Sequence, residues 1–160
     1  MILELIAFDL DRQGGEGLEV RHPSEPSEDV RVAPVPELIH TCYRVFEIDR
    51  SVAFYEALGM EEMRRMPIGD DATNVFMGLP GDGARLELTY NHDQSEPYEI
   101  GTGYGHIALT VDDMEEALAE LADSGIEPEK PPYTVREGGS RLCFVRDPDG
   151  YRIELIEKKG

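Results

Sequence analysis

Apolar and polar positions along this chain fall into two successive copies of one pattern. Ile39-His40-Thr41-Cys42-Tyr43-Arg44-Val45 and Gly105-His106-Ile107-Ala108-Leu109-Thr110-Val111 each read as a strand. A helical period follows in both copies. Ile48, Val52, Tyr55 and Leu58 share one face of the first helix, and Met114, Ala117, Leu118 and Leu121 share one face of the second. Asp112-Asp113 supplies N-cap residues for the second helix, and Gly59 and Gly125 stand where helix terminators are expected. The copies end on Arg85-Leu86-Glu87-Leu88 and Arg152-Ile153-Glu154-Leu155, each behind a turn signal, Pro80-Gly81-Asp82-Gly83 or Asp147-Pro148-Asp149-Gly150. His40 and His106 are offset by 66 residues, Glu87 and Glu154 by 67. The pattern predicts an α+β chain of two tandem modules, about 38–91 and 104–157, each a strand, a helix and two or three further strands.

Residues 1–36 differ. A short apolar start, Met1–Leu10, gives way to a glycine cluster and a polar, proline-punctuated run, which reads as an N-terminal tail or linker ahead of a domain at 37–160. An edge strand from Met1–Leu10 is the alternative. This start has no basic residue before Arg12 and carries Glu4 and Asp9, unlike a secretory leader, so a cytoplasmic location is expected.

Charge narrows the partners. Thirty-four acidic against 15 basic residues give a net charge of −19. Such a surface repels nucleic acid phosphates and anionic lipids, and no apolar run reaches membrane-spanning length, so neither nucleic acid nor membrane is expected as a partner. Cys42 and Cys143 lack metal-ligand spacing and are expected as small buried hydrophobes. His22 and His92 are expected at the surface.

The repeat places the same chemistry twice, a His on the first strand and a Glu in the middle of an apolar last strand. His40, Glu87, His106 and Glu154 can converge on one ion if the modules face one another, and two imidazoles with two carboxylates suit a borderline divalent metal. Side chains two apart on a strand share a face, so Arg44 lies on the side of His40, and Asn91 on that of Glu87. Four residues of strand rise roughly 13 Å, which sets both beyond the ion, where the anionic tail of an elongated ligand would lie.

The strings Leu38–Val45, Leu86–Asn91, Gly103–Leu109 and Phe144–Leu155 resemble, in order, those of glyoxalase I in the vicinal oxygen chelate superfamily. The resemblance runs from about 38 to 157 and is to the short, bacterial-type subgroup. It implies two βαβββ modules forming a cupped mixed β-sheet, and a homodimer in which each site draws one module from each subunit. It also implies His40, Glu87, His106 and Glu154 as metal ligands, with Ni²⁺ or Co²⁺ favoured and Zn²⁺ next. Arg44 and Asn91 would bind a thiol's carboxylate. Arg136, in the loop Thr134–Leu142, would stand in for a basic substrate contact of the family. The implied reaction isomerises the hemithioacetal of a 2-oxoaldehyde such as methylglyoxal and a small thiol, with Glu154 as the base and Glu87 as its symmetry-related alternate. Other readings on the same fold are an epimerase, a dioxygenase or a non-catalytic ligand-binding module.

Overall fold

The computed structural model describes residues 36–159. The possible edge strand from Met1–Leu10 and the placement of His22 therefore lie outside the described residues.

Each copy of the repeat folds as βαβββ. The first comprises β1 (Thr41–Arg44), α1 (Ile48–Ala57), β2 (Glu61–Ile68), β3 (Ala72–Gly78) and β4 (Leu86–Asn91). The second comprises β5 (Ile107–Val111), α2 (Met114–Asp123), β6 (Tyr133–Thr134), β7 (Arg141–Arg146) and β8 (Arg152–Glu157). The strands form two four-stranded mixed sheets, one per module, ordered β1-β4-β3-β2 and β5-β8-β7-β6. In both, the first strand runs parallel to the last, and the remaining pairs are antiparallel.

Local sequence explains the helix boundaries. Asp113 caps α2 by accepting from the Glu116 N–H at 2.9 Å, whereas Glu47 ahead of α1 makes no side-chain cap. Both helices stop before a glycine with positive φ, Gly59 at 82° and Gly125 at 73°, a conformation that costs glycine no Cβ clash. Val52 and Tyr55 on α1 are buried as their spacing predicts, and Ser51 and Phe54 join them.

One face of each sheet is core. Val75, Met77, Leu86 and Leu88 are buried in the first module, and Cys143, Val145, Ile153 and Leu155 in the second. Each such aliphatic side chain stabilises the fold by about 1.5–3 kcal/mol. The opposite faces carry the residues between them in sequence: Asn74, Phe76, Glu87 and Thr89 in the first sheet, Leu142, Phe144, Glu154 and Ile156 in the second. Cys42 belongs to that second kind of face and is exposed, which corrects the expectation of burial; Cys143 is buried as expected. Strand alternation is the reason. Tyr43 takes the core side of β1, so its neighbour Cys42 must point the other way.

The modules are tied together through the turn between β7 and β8. Asp149 accepts from the Phe46 N–H (2.8 Å) and the Ser51 hydroxyl (3.0 Å), and Asp147 accepts from the Tyr55 hydroxyl (2.8 Å). The Tyr43 and Tyr151 rings stack with centroids 4.2 Å apart. The Asp-Pro-Asp-Gly string, which by itself reads as a simple hairpin signal, thus also joins the two repeats.

Candidate metal centre

His40 and His106 sit one residue ahead of β1 and β5, at the mouths of the two parallel strand pairs. His40 Nε2 lies 2.7 Å from Glu87 Oε2, and His106 Nε2 lies 3.1 Å from Glu154 Oε2. The carboxylates are mostly covered, each 14% exposed, and the imidazoles are more open, at 33% and 40%. In each module a phenylalanine from the strand beside that of the glutamate meets the imidazole edge to face, Phe76 at 5.7 Å and Phe144 at 5.3 Å between centroids. An arginine then lies over each phenylalanine, Arg64 at 4.4 Å and Arg152 at 3.9 Å. The two half-sites are built alike, down to the ring that walls the histidine.

The structure brings the four residues together as two pairs and not as one group of four. Among the described residues no cluster of three or more His, Cys, Asp or Glu side chains could hold a single ion. Each pair is internal to a module and needs a second pair to complete a set of two imidazoles and two carboxylates.

Arg44 ends β1, exposed, in register with Thr89 of β4. Among the described residues its guanidinium makes no ion pair, although Arg50, Arg65, Arg85, Arg141, Arg146 and Arg152 all pair with carboxylates. In so acidic a chain, a cation left without an acid is available to an incoming anion. Asn91 ends β4, where its amide donates to the Tyr98 hydroxyl at 2.7 Å, so the connector between the modules reaches this end of the face. His92 is exposed as expected, its ring bonded to Thr73 Oγ1 and the Asp70 carbonyl. Arg136 is exposed in the loop after β6.

Residues around Glu87 escape a reading of the sequence alone. Asn74 on β3 donates from Nδ2 to Glu87 Oε1 at 2.5 Å, and Thr89 donates to the same oxygen at 3.2 Å. Cys42 Sγ lies 3.4 Å from Thr89 Oγ1, extending the chain of contacts towards β1. The one available signal was a mismatch between the copies. Asn74 and Thr89 occupy the positions that Leu142 and Ile156 fill in the second module.

The Asp147 carboxylate is perturbed by burial. It is 4% exposed, and burial pushes its carboxyl up from 3.8 to about 6, against the opposing pull of the Tyr55 hydroxyl and the Tyr151 and Asp149 amides. Burial likewise holds the Tyr55 and Tyr43 hydroxyls protonated well above the ordinary phenol range.

Comparison with known proteins places the fold in a family. Residues 37–155 match the family model of the Glyoxalase/Bleomycin resistance protein/Dioxygenase superfamily. A lactoylglutathione lyase of Escherichia coli O157:H7 is 40% identical over 126 residues, covering 76% of this chain and 93% of that protein. A putative lactoylglutathione lyase of Brassica oleracea is 36% identical over 137 residues, covering 83% of this chain and 46% of that protein. The chain thus spans less than half the length of this plant relative. Among solved structures, glyoxalase I from Zea mays superposes with a TM-score of 0.69 at 35% identity, covering 77% of this chain and 45% of that one. The trypanothione-dependent glyoxalase I of Leishmania major superposes with a TM-score of 0.63 at 37% identity, covering 77% and 87%. Duplicated βαβββ modules, a His–Glu pair at the same place in each, and these relatives lead to one conclusion: the chain belongs to the Glyoxalase/Bleomycin resistance protein/Dioxygenase superfamily, on the branch of the lactoylglutathione lyases.

Proposed function

We propose that this protein is a glyoxalase I. It would isomerise the hemithioacetal formed by methylglyoxal and a low-molecular-weight thiol to the S-lactoyl thioester, using a divalent metal. The observation that carries the reading is the duplicated pair, His40 with Glu87 and His106 with Glu154, at 2.7 and 3.1 Å. The donor set fits such an ion: imidazole nitrogens and carboxylate oxygens, with each carboxylate partly withdrawn from water. Four such ligands, joined by two substrate oxygens, would suit six-coordinate Ni²⁺ or Co²⁺ ahead of four-coordinate Zn²⁺.

When bound, the metal supplies Lewis acidity that favours negative charge on the two adjacent oxygens of the substrate. Glu154 removes the proton from C1 and returns it to C2, leaving the thioester. Two features support that role over Glu87. Glu154 is flanked on its face by the apolar Leu142 and Ile156, and among the described residues the polar partner of its carboxylate is His106. Glu87, by contrast, is engaged on both oxygens. Arg44, which pairs with no acid among the described residues, takes the carboxylate of the thiol, and Asn91 orients it.

A homodimer completes the site, the first module of one subunit meeting the second module of the other. Support comes from the pairs themselves, which stay apart within one chain. A soluble, cytoplasmic enzyme accords with the acidic surface, and among the described residues no helix is long and apolar enough to cross a membrane.

The test is thioester formation followed in the ultraviolet, with methylglyoxal, several small thiols and added Ni²⁺, Co²⁺ or Zn²⁺. Activity is expected to require metal and to fall by about 10²–10⁴ in Glu154→Gln, the range for loss of a general base. Undiminished turnover by Glu154→Gln removes the base assignment, and no turnover with any thiol or metal removes the activity.

A further inference from the structure

The two half-sites are alike in backbone and unlike in what surrounds their carboxylates. On β3, Asn74 is the diagonal neighbour of Glu87, and its amide nitrogen reaches Glu87 Oε1 at 2.5 Å. Only the NH₂ end of an amide can face a carboxylate, which assigns the side chain's orientation. Its other end, Oδ1, is buried with no hydrogen-bond partner among the described residues. Turning the amide to satisfy that oxygen would break the bond to Glu87. The first module therefore tolerates an orphaned acceptor at the one place where the compensating donor holds a candidate ligand.

Thr89 adds a second donor to the same oxygen at 3.2 Å, and His40 meets the other oxygen at 2.7 Å. Glu87 is thereby fixed at both oxygens by three groups. In the second module the corresponding residues are Leu142 and Ile156, neither of which can donate a hydrogen bond. Duplication supplies an internal control: the same strand pair and the same His–Glu contact occur with and without the donors.

We propose that Asn74 is a positioning residue, which with Thr89 locks Glu87 as a fixed ligand and makes the first module the tighter half of the metal site. The inference rests on the reading above for the identity of the ligands. It adds a residue outside the ligand set and a division of labour: a rigid carboxylate for holding, and in the second module one held only through His106, for moving. Outer partners that orient ligating carboxylates typically contribute ten- to a hundredfold in metal affinity.

Asn74→Leu gives the first module the residue that the second already uses. In the full chain, Ni²⁺ titrated into metal-free protein in the absence of substrate is expected to bind Asn74→Leu at least tenfold more weakly than wild type. Isomerase activity lost at low Ni²⁺ should return at excess Ni²⁺. Unchanged Ni²⁺ affinity in Asn74→Leu overturns the proposal. Should that variant fail to fold, Thr89→Val removes the second donor at nearly constant shape. A severalfold weaker affinity is then expected, and an unchanged one is again fatal. A metal-free readout stands apart from the enzymatic reading. The Asn74 side-chain amide protons should shift in the NMR spectrum on Glu87→Gln, and if they do not move, the lock is absent. A wild type that binds Ni²⁺ but turns over no hemithioacetal would sink the proposed activity and leave the lock intact.

Discussion

The Tyr55 hydroxyl donates to Asp147 Oδ2 at 2.8 Å, linking the first helix of one repeat to the last turn of the other across 92 residues. Asp147 Oδ1 meanwhile accepts from the Asp149 and Tyr151 amides at 3.0 and 2.8 Å. One buried carboxylate therefore organises both the turn and the junction between modules.

Stability should respond to pH through this group. The folded carboxyl sits at about 6 against an unfolded value of 3.8, so the native chain keeps a proton that the unfolded chain releases between these values. The contribution is full below about pH 4 and is lost as pH rises through about 6. Asp147→Asn retains an acceptor for both amides and can donate to Tyr55. The wild-type unfolding free energy, measured relative to this variant, is expected to fall by roughly 2–3 kcal/mol between about pH 4 and pH 7. Parallel pH curves would show that Asp147 titrates normally.

Arg44 should act on binding and not on turnover. Arg44→Gln is expected to raise KM for the hemithioacetal by about ten- to a hundredfold, the worth of a charge-assisted hydrogen bond, with kcat little changed. A loss confined to kcat would place Arg44 elsewhere in the reaction.

Sharing of the site between subunits predicts complementation. His40→Ala and His106→Ala variants should each be inactive alone. Mixed and allowed to exchange, they form heterodimers in which one of two sites has intact halves, so about a quarter of wild-type activity should return. No recovery, with exchange verified, would place both halves of a site in one chain.

The core prediction concerns Leu88, fully buried between Glu87 and Thr89 on the helix-covered face. Leu88→Ala should cost about 2–5 kcal/mol in denaturant unfolding. A cost below about 1 kcal/mol would mean that the first module packs differently.

Much of the architecture was legible because a duplication prints the same periodicities twice. Strand, helix and hairpin signals recur at constant offset, and a His and a Glu recur with them. The apolar run around Cys42 predicts burial, yet only alternation against Tyr43 decides which side it takes. Asn74 carries no signal beyond its mismatch with Leu142 in the other copy. Its importance comes from a neighbour on the adjacent strand, 13 residues away in sequence.

By itself, then, the sequence determined the two modules and their helix ends, and it placed His40, Glu87, His106 and Glu154 at matching positions. These follow from short-range periodicity and backbone preference, which act within a few residues. Tertiary structure alone decided that these residues meet as two pairs, that Asp147 and Asp149 join the modules, and that Asn74 grips Glu87. Those outcomes depend on which strand lies beside which and on which face a helix covers, relations among residues far apart along the chain.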